Sequence, residues 1–205
     1  FVLPRIRGEF KVEHPQVHTH LTVGNSEMIE HRVADHALDV GLIESPSHLP
    51  GLVTEVCCED ELQVVCAPSH PLAKLKSATP TSLTEHAYIS REPGSGTREV
   101  IDHYLQKAGV LPDTMQVVME LGSPEALKGL VATGLGFAIM SRATVVKETQ
   151  LGQLVQIPLS PRLNRHLAVV YPKERFHSRL VSGFVQFAKE RVAALQSASA
   201  VRPAA

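Results

Sequence analysis

Three short loops in this 205-residue chain combine glycine with hydroxyl or amide side chains and lead straight into helical sequence. They are Gly24-Asn25-Ser26, Glu92-Pro93-Gly94-Ser95-Gly96-Thr97-Arg98 and Gly122-Ser123-Pro124-Glu125. N–H groups at the positive end of a helix suit an anion or a carboxylate. The middle loop carries the most chemistry. Helix first turns favour Asp and Glu, and Arg98 breaks that preference. Arginine is also the side chain best shaped for bidentate recognition of carboxylate, phosphate or sulfate. Its other role here would be a pairing with Glu92, Glu99 or Asp102. Ser123 opens a Ser-Pro-Glu run, an ordinary N-cap, N1, N2 start, so its hydroxyl either caps the helix or faces a ligand. Asn25 and Ser26 carry the same two readings. The middle loop lacks the Gly-x4-Gly-Lys-Ser/Thr spacing of a phosphate-cradling Walker loop. Gly134-Leu135-Gly136 reads as a helix C-cap with tight entry into a strand.

No catalytic constellation accompanies these loops. A Gly-x-Ser-x-Gly elbow, an HExxH motif and paired carboxylates are all absent, so the chain is not expected to be an enzyme or to hold a cofactor. A small transferase using the Gly94–Arg98 loop would need a general base, and only Glu92, His86 or His103 is near in sequence. His18 and His20 share one face of a candidate strand, but a third metal ligand is lacking and no metal is expected. Cys57, Cys58 and Cys66 are odd in number and none falls in a CxxC spacing. They make a poor disulfide framework and a poor zinc site, and they fit a reducing cytoplasm as small buried hydrophobes. Twenty Lys and Arg face 21 Asp and Glu, for a formal charge of -1. That balance gives no support for nucleic-acid binding by this segment. No apolar run approaches the ~20 residues of a membrane span.

The elements that must position the loops follow an α/β rhythm. Helical spacing runs from Phe1 to His14 through Val2, Leu3, Ile6 and Phe10, and strand alternation runs from Val17 to Val23. A helix capped by Asn25 or Ser26 buries Ile29, Val33 and Ala37. The apolar run Asp39 to Ile43 reads as a buried parallel strand. Strands Leu52 to Cys57 and Glu61 to Ala67 precede a break at Pro68–Pro71. The rhythm then restarts. Strand Ala87 to Arg91, helix Thr97 to Ala108 closed by Gly109, strand Met115 to Leu121 and a helix through Thr133 come first. Strand Phe137 to Ser141, a polar helix Arg142 to Thr149 and strands Leu154 to Ile157 and His166 to Tyr171 follow. A last helix, His177 to Leu195, buries Leu180, Phe184, Phe187, Ala188 and Leu195, ahead of a frayed tail. Two units joined near residues 68 and 166 imply a cleft with a hinge. Ligands of open α/β sheets sit outside the carboxyl ends of the strands, which is where all three loops fall, Gly24-Asn25-Ser26 after a strand of the first unit and the other two after strands of the second.

The order of these motifs resembles a known family. FVLPRIRGEFKVEHPQVHTHLTVGNSEMIEHRVADHALDVGLIE, PGLVTEVCCEDELQVVCAPSHPLA, REPGSGTREVID, ELGSPEALKGLVATGLGFAIMS and LAVVYPKERFHS together resemble the C-terminal effector-binding (substrate-binding) domain of bacterial LysR-type transcriptional regulators. The resemblance runs from residue 1 to about 190. It implies an α/β fold of two Rossmann-like lobes joined by two crossovers, similar to type 2 periplasmic solute-binding proteins. Residues 1–67 with 167–195 would form lobe I, 68–166 lobe II and 196–205 a flexible tail. The winged helix-turn-helix, the linker helix and the first strand of lobe I, which normally precedes the helix from Phe1, would be missing. DNA binding would belong to that missing part.

By the same resemblance, a small effector sits between the lobes. Its expected contacts are Gly24, Asn25, Ser26, Ser90, Glu92, Gly94, Ser95, Gly96, Thr97, Arg98 and Ser123. REPGSGTRE resembles the subgroup that regulates carbon fixation and sulfur assimilation, whose effectors are small and often anionic. The family also implies a cytoplasmic homodimer, tetrameric at full length. In it the Phe1–Lys11 helix and Val17–Val23 of one copy pack against the helix after Ser123 of the other. The rival from another class is a periplasmic solute-binding protein of the same fold, against which the free cysteines argue.

Overall fold

The computed structural model describes residues 2–173 and 178–200. The expected starts at Phe1 and His177, the part of the expected tail after residue 200, and the burial of Val2, Leu3 and Leu195 lie outside what is described; over 196–200, where the tail was expected to begin, the last helix continues instead. The elements begin with α1 (Val2–Glu13), α2 (Ser26–Ala34), β1 (Gly41–Ile43), β2 (Leu52–Cys66), α3 (Pro80–Leu83), β3 (Ala87–Arg91) and α4 (Gly96–Lys107). They continue with β4 (Gln116–Leu121), α5 (Pro124–Ala132), β5 (Ala138–Ser141), α6 (Val146–Gln150), β6 (Val155–Ile157), β7 (Leu163–Pro172) and α7 (Arg179–Ala200). Among the described residues no helix is long and apolar enough to cross a membrane.

The chain divides into two compact units, Phe1–Cys58 with His166–Ala205, and Glu59–Arg165. The first division therefore falls inside β2, not at the Pro68 break. Two strands were expected on either side of Cys58, yet β2 runs unbroken for 15 residues.

In the first unit α1 lies against α7. Ile6 is buried with Ala188 and Val192, and Phe10 meets Phe184 and Phe187 edge-on at 5.1 and 5.3 Å. Leu180 departs from expectation and stays 49% exposed. The strand expected over Val17–Val23 does not form. Side chains of α1 take the carbonyls that a ladder would use instead. Lys11 donates to Pro15 and Val17 oxygens at 2.7 and 3.0 Å, and Arg7 to the Thr19 oxygen at 3.0 Å. α2 stops at Ala34, because His36 adopts φ +57° and leaves Ala37 exposed. β1 pairs antiparallel with Ala168–Val170 of β7, not parallel as expected. A strand buried on both faces shows the same apolar run in either direction.

In the second unit Leu62–Val65 of β2 pairs antiparallel with β5, and Val64–Cys66 with β6. β3 and β4 pair in parallel. Phe137 joins β3 to the start of β5: it donates to Ala87 O at 3.0 Å and accepts from Ile89 N at 2.8 Å. The core under α4 contains Leu62, Val64, Leu105, Phe137 and Ile139, and a second cluster under α5 contains Ile89, Leu127 and Val131. The polar helix expected over Arg142–Thr149 is a 3-10 turn, Arg142–Thr144, followed by α6.

Candidate functional site

Because β3 and β4 are parallel, both end at the same edge of their sheet, and each feeds a capped helix. Ser95 caps α4, its hydroxyl accepting from Arg98 N at 3.5 Å, and Ser123 caps α5, accepting from Ala126 N at 3.3 Å. Each cap of this type is worth about 1 kcal/mol. Gly94 makes the turn between β3 and α4 at φ +79°, a left-handed backbone that glycine adopts without strain. Arg91 ties the two loops together. It donates twice to Glu92, at 2.8 and 3.1 Å, and reaches the Gly122 oxygen at 3.5 Å.

Ser90, Ser95, Gly96 and Thr97 are buried along this edge, and Ser123 is exposed. The structure thus gathers Ser90 through Arg98 and Ser123 in one unit. Burial pushes the neighbouring Tyr88 phenol up to about 12, with its hydrogen bond to Ser90 acting the other way. Gly24, Asn25 and Ser26 belong to the other unit. There Asn25 is the N-cap of α2, accepting from Met28 N at 2.9 Å, and the buried Ser26 hydroxyl accepts from Glu44 N at 3.2 Å.

Arg98 is committed to carboxylates. Its Nη1 donates to Glu120 Oε1 at 2.5 Å and to the Arg91 oxygen at 3.1 Å, while Nε lies 3.7 Å from Asp102. Asp102 was among the pairings open to it in the sequence; Glu120, across on β4, was not foreseen. Burial raises the Asp102 carboxyl above its ordinary value, and Arg98 works against that rise.

Two charged clusters escaped sequence reasoning. Arg165 of β7 places Nε and Nη2 both 2.8 Å from Asp60 Oδ2, and its Nη1 donates to the Thr97 hydroxyl at 2.6 Å. Ser141 donates to the other Asp60 oxygen at 2.7 Å. Alternation along β7 holds the clue to Arg165, which shares the inward side with Leu163, two residues earlier. Lys128 of α5 bonds Glu148 at 2.7 Å, Glu125 at 2.9 Å and the Thr144 oxygen at 3.3 Å, pinning α5 to α6.

Among the described residues no group of three or more His, Cys, Asp or Glu could hold a metal ion. All three cysteines are free thiols, and burial pushes Cys66 up to about 11, which makes it a weak nucleophile.

The profile of the LysR substrate binding domain matches residues 1–193. Over 189 residues the chain is 36% identical to the uncharacterized HTH-type transcriptional regulator YeiE of Escherichia coli K12, covering 91% of this chain and 63% of that protein. It is 34% identical over 188 residues to the RuBisCO operon transcriptional regulator of Acidithiobacillus ferrooxidans, covering 91% and 60%. The chain therefore spans under two thirds of the length of these relatives. Among solved structures, the CcmR regulatory domain of Synechocystis PCC6803 in complex with 2-PG superposes with a TM-score of 0.82 at 28% identity, covering 92% of this chain and 89% of that one. The effector-binding domain of QuiR in complex with shikimate gives 0.82 at 20% identity, covering 94% and 90%, a likeness of fold. With its motifs, its parallel strands feeding capped helices and this family profile in agreement, the chain belongs to the LysR substrate-binding domains, the effector-binding part of LysR-type transcriptional regulators, with the type 2 periplasmic-binding-protein-like fold.

Proposed function

We propose that this domain senses a small anionic metabolite at the starts of α4 and α5, and so adjusts DNA binding by a longer cytoplasmic regulator. The observation that carries this reading is the pair of capped helix starts behind parallel β3 and β4, with their loops tied by Arg91. Two positive helix ends and the hydroxyls of Ser90, Ser95, Thr97 and Ser123 are concentrated on one edge, a setting that favours negative charge. Arg98 contributes less, since Glu120 and Asp102 already neutralise it. CcmR, bound to 2-PG, and QuiR, bound to shikimate, are relatives of this fold that hold small molecules.

A thermal-shift panel of carboxylates, phosphates and sulfates, with 2-PG and shikimate among them, tests the reading. A ligand at 100 times Kd adds about 2.7 kcal/mol, or roughly 5–11 °C in Tm for a domain of this size. Thr97→Ala is expected to weaken the best anion by about 10- to 100-fold, and Arg98→Ala by less than about 3-fold. A panel in which only uncharged molecules raise Tm, or a Thr97→Ala protein that binds like the parent, removes the assignment.

The same reading includes self-association. Val117, Val118 and Met119 on β4 are 41–47% exposed, and Val12 and Val23 are 80% and 85% exposed. Apolar side chains set along an unpaired strand edge favour burial against a partner, and a second copy in antiparallel orientation brings both sets together. Val118→Glu is expected to weaken the dimer by about 10-fold or more. Sedimentation at tens of micromolar checks this, and a parent protein that stays strictly monomeric there counts against the dimer.

A further inference from the structure

The second unit is entered and left beside one buried ion pair. Asp60 lies on β2 next to the unit's first residue, and Arg165 on β7 is its last. Their side chains are 11% and 5% exposed. Burying two charges is costly, and an apolar pair of similar size would often pack as stably. What an apolar pair would lack is the fixed fork of the guanidinium. Two of its nitrogens hold Asp60 at 2.8 Å, and the third donates to the Thr97 hydroxyl at 2.6 Å in the first turn of α4. Ser141, at the end of β5, completes the far side of Asp60 at 2.7 Å. Three elements, β2, β7 and α4, therefore meet at a single planar group, and β5 joins them through Asp60.

We infer that Asp60 and Arg165 are positioning residues of the effector site, holding Thr97 and the α4 start in the geometry that receives an anion. This rests on the reading of that helix start as the effector site. Arg165 itself touches Thr97, not the ligand. A displacement of Thr97 by an effector reaches β2 and β7 together through the same guanidinium, where the chain passes from one unit to the other.

Amide hydrogen exchange and calorimetry on the whole domain test the inference, with 2-PG, shikimate and inorganic phosphate as probes. The variants are Arg165→Gln, Thr97→Val, Thr97→Ser and the charge-neutral double change Asp60→Asn with Arg165→Gln. The double change removes both buried charges, so a loss of folding in Arg165→Gln alone does not end the experiment. In folded variants lacking Arg165, exchange at residues 96–99 is expected to quicken by about 10-fold or more, while protection elsewhere in the unit is kept. Probe affinity falls by about 10-fold or more in the same proteins. Thr97→Ser binds like the parent, and Thr97→Val adds little to Arg165→Gln, the non-additivity expected of groups acting through one contact. Unchanged exchange at 96–99, or unchanged affinity alongside quickened exchange, overturns the inference. If the parent binds none of the probes, the anionic-effector reading fails, and the exchange measurement still decides whether Asp60 and Arg165 position α4.

Discussion

Replacing Lys128 by alanine should lower stability by about 3–5 kcal/mol, or roughly 6–20 °C in Tm. The Lys128 side chain is 7% exposed, and that of its strongest partner, Glu148, 18%. One Glu148 oxygen takes the Lys128 hydrogen bond, while the other, Oε2, is buried without a partner. Removing Lys128 therefore takes the strongest partner from a largely buried carboxylate, leaving it a backbone hydrogen bond and the more distant charge of Lys147. The hydrogen bond from Lys128 holds the Glu148 carboxyl below its ordinary range, with burial acting against it. Burial alone would depress Lys128, but hydrogen bonds to Glu148 and Glu125 outweigh it and raise the ammonium above its ordinary value.

The signs set a window. A depressed carboxyl contributes stability above its unfolded value of about 4.3, lost as pH falls through the lower folded value. A raised ammonium contributes below its unfolded value of about 10.4, lost as pH rises through the higher folded one. The gap between parent and Lys128→Ala should therefore stay level from about pH 5 to pH 10 and narrow outside it. Lys128→Met combined with Glu148→Leu removes both charges and should return to within about 1 kcal/mol of the parent. Urea unfolding of the three proteins across pH decides the matter. A double variant as weak as the single one would mean that packing, not charge, explains the loss.

Phe137→Ala should cost about 3–5 kcal/mol, at the level of the largest core truncations. The ring is fully buried and stacks on Tyr88 at 5.1 Å, and its backbone is bonded to β3 on both sides. The residue before it explains how it comes so close. A Cβ at Gly136 would sit 2.4 Å from the Ala87 oxygen, a backbone atom that cannot swing aside. Glycine there lets β5 begin against β3, and Phe137 then fills the space beneath. Truncation leaves a cavity under the strand that carries Ser90 to the site. A lower urea midpoint with an unchanged slope is the expected signature. A cost under about 1 kcal/mol would show that the neighbouring side chains collapse into the gap.

The parts of the site legible in the sequence are those written locally. Ser95 and Ser123 stand where caps must stand, Gly94 and Gly109 stand where the backbone turns left-handed, and β3 has the bounds its apolar run suggested. What escaped depends on distant neighbours. The direction of β1 is set by β7, more than a hundred residues later, and an apolar run carries no mark of direction. Alternation over Val17–Val23 is equally compatible with a segment outside any sheet, where Arg7 and Lys11 reach its carbonyls from α1. Glu120 and Arg98 are 22 residues apart, and Asp60 and Arg165 are 105 apart. Neither pairing has a local pattern that could announce it.

The Asp60–Arg165 contact also bears on how such a protein can diversify. Glu59–Arg165 is one uninterrupted stretch, and side chains of Asp60 and Arg165, at or next to its two ends, meet at 2.8 Å. A stretch whose entry and exit are tied together in this way can be exchanged as a cassette, because the host chain has only a short gap to span. Recombination at these two points would transplant the α4 and α5 starts proposed to receive the effector, while the packing of α1 on α7 stays as it was. A lineage of regulators could in this way acquire a new taste in metabolites in one genetic event, without rebuilding the framework that receives it.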